Sequence, residues 1–413
     1  MTESGRHRET HALFERALRV VPGGIYGHQS PRMLVPAAYP YFFARGAGAR
    51  IWDVDGNEYI DLMCSYGPIV LGHNHPRVDE AARRQAEAGR CFNGPGAVWV
   101  ELAERLVALT PWAGWAVFAK NGSDVCTWAT QVACAATGRR KVLTAEGAYH
   151  GTHPWCSPMP AGVMPEDRAH IAHFRYNDLP SVDAALDAHA GDVAAIMVSP
   201  FRHDAFHDQE LPVPGFLDGL RARCDRLGAV LILDDVRAGF RLDLRGSGAA
   251  MGVQPDLTCY CKALGNGYPI AAALGRDALR RAAEKVFFTG SYWTGPVEMA
   301  AALACLAELE ASDAIPRMAR LGTRLRDGIE GQAAAHRLPI RYSGPPAIPF
   351  LTFTDDQGSF ERSRAFAAGC CARGVYLHPH HNWFLSSALT DDDLVRVLQV
   401  TDQAFAEVAR GAG

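Results

Sequence analysis

The chain has 413 residues, 48% hydrophobic and 21% charged, which suits a globular protein of two or three domains with a large buried core. A formal net charge of −4 gives no strong pull toward nucleic acid or an anionic membrane. No uncharged apolar run reaches the roughly 18 residues of a membrane span. The N-terminus, MTESGRHRETHALFERALRVV, is charged throughout and lacks the apolar stretch of a signal peptide. Eleven cysteines are sparse and odd in number, and Cys259/Cys261 and Cys370/Cys371 are too close together for the usual zinc spacings. No HExxH occurs among the 16 histidines, so the expectation is free thiols in a reducing cytoplasm and no metal site.

Residues 9–20 read as a short amphipathic helix ended by Pro22-Gly23-Gly24. ARIWDVDGNEYIDL (49–62) alternates around Asp55-Gly56, a hairpin signal. From about residue 97 to 290 short apolar strands alternate with helical stretches, and WAVFAK, KVLTAE, AAIMVSPF and AVLILDD are the clearest strands. Each is nearly continuous in apolar residues, as strands buried on both faces are, and this predicts a parallel sheet covered by helices. A long alanine-rich helix, MAAALACLAELEAS, follows, and then a smaller mixed region. The expected organisation is an N-terminal segment with its hairpin (1–60), a large α/β domain (61–300) and a C-terminal small domain (301–413).

Three segments carry candidate chemistry. In AVLILDDVRAGFR (229–241) a buried strand ends at Asp234 and Asp235, where ligands of open α/β sheets bind. A carboxylate buried there needs a cationic partner, for which a protonated pyridine nitrogen would serve, although a helix-capping pair reads equally well in isolation. In LTCYCKALGNGYPIAAALG (257–275), Lys262 sits among Cys, Tyr, Ala and Leu. Partial desolvation would favour the neutral amine that imine formation needs, whereas a lone lysine could also snorkel to the surface. In VFAKNGSDVCTWATQVACAATG (117–138) a strand passes through Asn121-Gly122-Ser123 into a helix whose start could hold phosphate, or Ser123 could be a plain N-cap. GSGAAMG (246–252) loosely mimics a dinucleotide loop but follows RLDLR rather than an apolar strand, and is set aside.

Together these segments resemble class III aminotransferases of fold type I, which depend on pyridoxal 5′-phosphate (PLP), and the glutamate-1-semialdehyde aminomutase branch in particular. KNGSD is similar to that branch's NSGTE, which puts Gly122 and Ser123 at the phosphate. GAYHG (147–151) is similar to GCYHG, with Tyr149 stacked on the cofactor ring and His150 beside it. LILDDVRAGFR is similar to IFDEVMTGFR, so the resemblance gives Asp234 the pyridine nitrogen, places Val236 in the same site and makes Lys262 the Schiff-base lysine and proton shuttle. GSYWTGPVEMAAA (290–302) is similar to GTLSGNPLAMAAG, which carries Ser291 onto a threonine reaching the phosphate of a neighbouring subunit and implies a homodimer with shared sites. The implied fold is a large domain with a mixed, mostly parallel sheet between helices, plus a smaller α+β domain from both termini.

Two departures bear on the reaction. The mutase segment YLAPSQFEAGF is YLHPHHNWF here, so Asn382 and Trp383 stand where a glutamate serves the mutase substrate. This favours transamination from an amine or amino acid to a 2-oxo acid such as pyruvate, with an intramolecular aminomutase as the alternative. Arg237 replaces the branch's methionine. It could stabilise the cofactor's phenolate oxygen, clamp a keto-acid carboxylate, or turn outward to Asp235. Arg32 and Arg202 compete with it for the carboxylate. DDVRAGFR, SPFRHDAFHDQ, TGSYW and HPHHNWFL together are most similar to bacterial pyruvate transaminases that deaminate hydrolysed fumonisin, a long-chain amino-polyol. By that likeness Tyr26, Trp293, Trp383 and Phe384 could line an apolar donor pocket, or could equally be core aromatics.

Overall fold

Val230, Leu231, Ile232 and Leu233 form an unbroken apolar run, and a strand with nothing polar on either face must be covered on both. In the computed structural model, which describes residues 6–35 and 38–411 but not the side chains of His28 and Arg32, they form the strand Val230–Asp234 at the centre of a seven-stranded sheet. Val230 and Ile232 join the apolar cluster that includes Val125, Ala129 and Val132 of the helix Gly122–Thr137. Leu231 and Leu233 join the opposite cluster, with Val182 and Leu186 of Leu179–Ala188 and Phe216 and Leu220 of Phe216–Leu227. The period-2 alternation of strand side chains thus sends successive residues into two separate cores.

The strands run in the order Trp115–Ala119, Ala271–Gly275, Leu257–Tyr260, Val230–Asp234, Val193–Val198, Lys141–Ala145, Ile171–Phe174. Only Ala271–Gly275 is antiparallel to its neighbours. The sheet is therefore mixed and mostly parallel, as expected, and the carboxyl ends of the other six strands share one edge. That edge is where an open α/β sheet offers loops and helix N-termini to a ligand.

The chain divides into two compact units. The sheet and its helices lie in Pro76–Asp204 with Glu210–Ile315, and the other unit comprises Met1–His75, Ala205–Gln209 and Pro316–Gly413. In the latter, Arg50–Asp53 and Glu58–Asp61 form the expected hairpin across Gly56, which has φ +85°, within a sheet that also holds Phe43–Ala47 and Val375–Tyr376. The Asp55 carboxylate at the hairpin turn accepts the backbone N–H groups of Glu9 (2.6 Å) and Thr10 (3.0 Å), capping the helix Arg8–Leu18 from a distant segment. Helices Glu361–Ala372 and Asp391–Gly411 pack through Phe366 and Phe405, rings 4.6 Å apart.

Gly275 stands opposite Trp115 in the antiparallel ladder, and a Cβ there would lie 2.0 Å from the indole. The indole cannot swing away freely, because its Nε1–H donates to the Arg276 carbonyl at 2.9 Å. Gly275→Ala is therefore expected to destabilise the sheet by roughly 1–3 kcal/mol, the usual range for overpacking. An unchanged thermal midpoint in the variant would show that the indole is not held.

Candidate active site

Asp234 is the last residue of its strand, on the face of Val230 and Ile232, and is buried. One carboxylate oxygen lies 2.7 Å from His150 Nδ1, and the other accepts the Val236 N–H at 3.2 Å. His150 follows the strand Lys141–Ala145 and stacks on Trp155, with ring centroids 6.3 Å apart and planes at 17°. The Trp155 indole N–H donates to Thr127 Oγ1 (2.8 Å) in the helix Gly122–Thr137. The buried carboxylate is thus held through an imidazole and an indole to the helix covering the sheet. His150 Nε2 is buried with no hydrogen-bond partner among the described residues.

Lys262 follows the neighbouring strand, Leu257–Tyr260, and its backbone takes φ +44°, a left-handed conformation that costs a non-glycine residue of order 1 kcal/mol. Burial, followed by the charge of Arg237, pushes its ammonium pKa down to about 7. The sequence places this lysine in apolar company, and the structure adds a cation that discourages its protonation. Arg237 is 8% exposed, and burial lowers its pKa to about 10 against the opposing pull of Asp234, Asp204 and Tyr149. Asp235 accepts the Ser247 N–H at 2.7 Å, and burial raises its pKa to about 7. The groups that act on Arg237 are Asp234, Asp204 and Tyr149, and Asp235 is not among them. Tyr149 is half-buried, and desolvation raises its phenol pKa while Arg237 opposes the rise.

Gly122 opens the helix Gly122–Thr137, and a Cβ on it would come within 2.9 Å of Val236 Cγ1. Ser123 Oγ accepts the Thr152 N–H at 3.1 Å, and Asp124 takes the Asn121 N–H at 3.0 Å. Gly151, at φ +132°, has no room for a Cβ, which would lie 2.5 Å from Ser123 Oγ. The helix N-terminus and the Tyr149–His150 loop therefore meet closely. Gly122, Ser123, Tyr149, His150, Asp234, Val236, Arg237 and Lys262 all belong to this one edge. Ser291 is exposed in the single chain.

Arg202 is committed elsewhere: its Nε donates to Asp204 (2.8 Å) and a terminal nitrogen to Glu210 (2.6 Å). In the other unit Tyr26 is 77% exposed, and the Arg32 side chain lies outside the described residues. Trp383 is 1% exposed in that unit's core, its indole N–H donating to the His378 carbonyl at 3.0 Å, and Phe384 is fully buried. Asn382 donates to the Trp383 carbonyl at 3.0 Å. Sequence reasoning did not single out His203 or Asp204, which follow the strand Val193–Val198 on the same sheet edge. SPFRHD offered only a run of charged residues after a strand.

Residues 34–386 match the family model for class III aminotransferases, and the chain belongs to that family. It is 46% identical over 398 residues to the aminopentol aminotransferase of Sphingopyxis macrogoltabida, covering 96% of this chain and 94% of that one. The solved FumI protein of Sphingopyxis sp. MTA144, in its PLP internal aldimine form, superposes with a TM-score of 0.96 at 45% identity, covering 98% and 97% of the two chains. The glutamate-1-semialdehyde 2,1-aminomutase of Chloroflexus aggregans is 34% identical over 438 residues, covering 98% of this chain and 99% of that one. The chain is accordingly a PLP-dependent aminotransferase of fold type I, and the aminomutase alternative is the weaker one.

The residues fit that cofactor on their own terms. A buried carboxylate, an amine whose pKa is lowered to about 7, a helix N-terminus beside a serine hydroxyl, and a buried imidazole nitrogen without a hydrogen-bond partner among the described residues converge on one edge. In PLP-free protein, competitive acetylation read by mass spectrometry should give Lys262 a midpoint near pH 7. A Lys262 midpoint above about 9 would mean that the amine is not desolvated.

Proposed function

We propose that this aminotransferase moves an amino group from a primary amine on a long, hydroxylated chain to a small 2-oxo acid such as pyruvate, with Lys262 as covalent anchor and proton carrier. The observation that carries the reading is a lysine amine brought near neutrality at the end of the strand next to Asp234 and its partner His150. The donor class follows the likeness to an aminopentol aminotransferase across nearly the whole chain.

Bound PLP supplies a ring that takes up the electrons of the substrate's broken Cα–H bond. Asp234, oriented by His150, holds the ring nitrogen in its cationic form, because a buried carboxylate favours a positive partner over none. Gly122 and Ser123 hold the phosphate at the helix N-terminus, with Ser123 also fixing the Thr152 backbone. Tyr149 covers the ring, and Val236, closed against Gly122, supports it. Lys262 Nζ, its pKa lowered to about 7 so that a large share is free amine near neutral pH, takes the proton from the substrate Cα and returns it. Ser291 reaches the phosphate of a second copy of the chain.

Arg237 binds the acceptor's carboxylate. Of the three candidate arginines, Arg202 is ion-paired with Asp204 and Glu210, and Arg237 is buried, its charge bearing on the Lys262 amine while Asp234, Asp204 and Tyr149 draw on its own. A carboxylate arriving there gains the fork geometry of a guanidinium in a site already stripped of water. A donor screen against pyruvate and 2-oxoglutarate, read as alanine or glutamate formed, should give product with amino-polyols and none with Lys262→Ala. Arg237→Met should raise the acceptor KM about tenfold or more while leaving the amine KM within a few-fold. An unchanged acceptor KM removes Arg237 from this role.

The homodimer finds support in apolar side chains that stand in water in the single chain. Phe287 is 87% and Tyr292 71% exposed, on either side of Ser291. Light scattering should give twice the chain mass, and Phe287→Glu with Tyr292→Asp should shift it toward the monomer with loss of PLP. A monomer retaining full activity would contradict shared sites. The eleven free thiols suit a reducing cytoplasm.

A further inference from the structure

Lys120 stands between the end of the strand Trp115–Ala119 and Asn121, the N-cap of the helix Gly122–Thr137, whose N–H donates to Asp124 at 3.0 Å. The lysine side chain is 12% exposed, and its ammonium lies 3.1 Å from the Glu298 carboxylate. Glu298 belongs to the first turn of the helix Pro296–Ala311, where the helix dipole favours a negative charge. The pair closes over the Gly295 backbone: a Cβ there would lie 2.7 Å from the Glu298 carboxylate and 3.1 Å from Lys120 Nζ. The residue that leads into the phosphate turn is thus tied to the start of a helix far along the chain.

Residues 287–295, just before that helix, carry Ser291 between the exposed rings of Phe287 and Tyr292. The Trp293 N–H donates to the Gly290 carbonyl and the Gly295 N–H to the Tyr292 carbonyl, both at 3.0 Å, so the segment closes in two successive turns. Trp293 packs on Phe288, ring centroids 4.3 Å apart, and Phe288 on Trp128 of the helix Gly122–Thr137 at 4.9 Å. Apolar packing is non-directional and lets a segment slide. A partly buried ion pair fixes a point, because separating it leaves both charges short of water and of a partner. We propose that the Lys120–Glu298 pair positions this segment so that the Ser291 hydroxyl reaches the phosphate held by a second copy of the chain. Lys120 is then a positioning residue whose effect falls on the partner's cofactor. The proposal rests on the reading that the sites are shared, and adds the pair that presents Ser291. In a two-fold dimer the pair occurs twice, and each copy joins one subunit's phosphate turn to the serine it lends the other.

Mixed dimers of two differently tagged chains separate an effect on the partner from an effect within one chain. One chain keeps Lys262 and the other carries Lys262→Ala, so the visible absorbance of lysine-held PLP follows a single site. With Lys120→Met in the Lys262→Ala chain, PLP affinity at the intact site should fall about tenfold, as for one lost hydrogen bond to a charged group. Glu298→Gln in that chain should act alike, and Lys120→Arg should stay within about threefold. A loss seen only when Lys120→Met shares the chain with Lys262, or no loss in either arrangement, overturns the proposal. So does a loss that accompanies dissociation into single chains in light scattering, because the pair would then hold the interface and not the serine. Ser291→Ala in the Lys262→Ala chain tests the underlying reading. If it leaves the intact site unchanged, sharing through Ser291 is rejected. If it weakens that site while Lys120→Met does not, shared sites stand and Lys120 has no part in presenting the serine.

Discussion

Asp234 ends a strand with apolar cores on both sides, and its carboxylate is kept there by an imidazole nitrogen 2.7 Å away. Taking a carboxylate out of water costs several kcal/mol unless the charge is compensated. The compensation reaches well into the fold. His150 is stacked on Trp155, Trp155 is hydrogen-bonded to Thr127, and Thr127 belongs to the helix whose N-terminus carries Gly122 and Ser123. The same contacts that make the buried charge tolerable fix the helix N-terminus at Gly122 and Ser123 relative to the Tyr149–His150 loop. No lid or hinge is needed to explain that placement, because strand direction and sheet order already supply it.

Charge is distributed over this edge with few unopposed members. Arg202 is paired with two carboxylates and Asp234 with His150, while Asp235 accepts one backbone N–H and keeps its other oxygen buried without a hydrogen-bond partner among the described residues. Arg237 and Lys262 are neighbours of like sign, and the conflict is eased because the stronger acid of the pair, the lysine ammonium, gives up its proton more readily. An arginine is effectively always charged, while a lysine adapts when buried. Placing arginine at 237 therefore helps make the amine at 262 nucleophilic, a consequence that a methionine or glutamine there would not have.

The sheet was legible because continuous apolar runs such as VLIL and AAIM can only be strands covered on both faces, and the Asp55-Gly56 hairpin because a turn between alternating strands is a local signal. Lys262, Asp234 and Ser123 stand out through motif order, and the fold brings them to one edge of the sheet. Other features arise only in three dimensions. The left-handed backbone at Lys262 has no signature in CYCKALGN, since lysine does not favour positive φ and tertiary packing imposes it. The sequence leaves Arg237 open between an inward and an outward position because it does not show which carboxylates come near the guanidinium, which in the fold are those of Asp234 and Asp204.

Asp234 and Asp235 are adjacent, and successive side chains of an extended chain point to opposite sides. One reaches His150 and the other reaches Ser247, in full burial. Asp235 has its pKa raised to about 7, so in the folded chain it keeps a proton that the unfolded chain has already lost. Its burden on stability therefore grows as pH rises from about 4 to 7. Lys262 works in the opposite sense. Its lowered pKa burdens the fold below about 7, and the burden is lifted as pH climbs toward about 10.4. The two penalties overlap most near neutrality, so these groups leave the empty site least stable where an amine must be free to react. A cofactor and substrate that bring opposite charge to this edge recover part of that loss on binding, which couples occupancy of the site to the stability of the sheet that builds it.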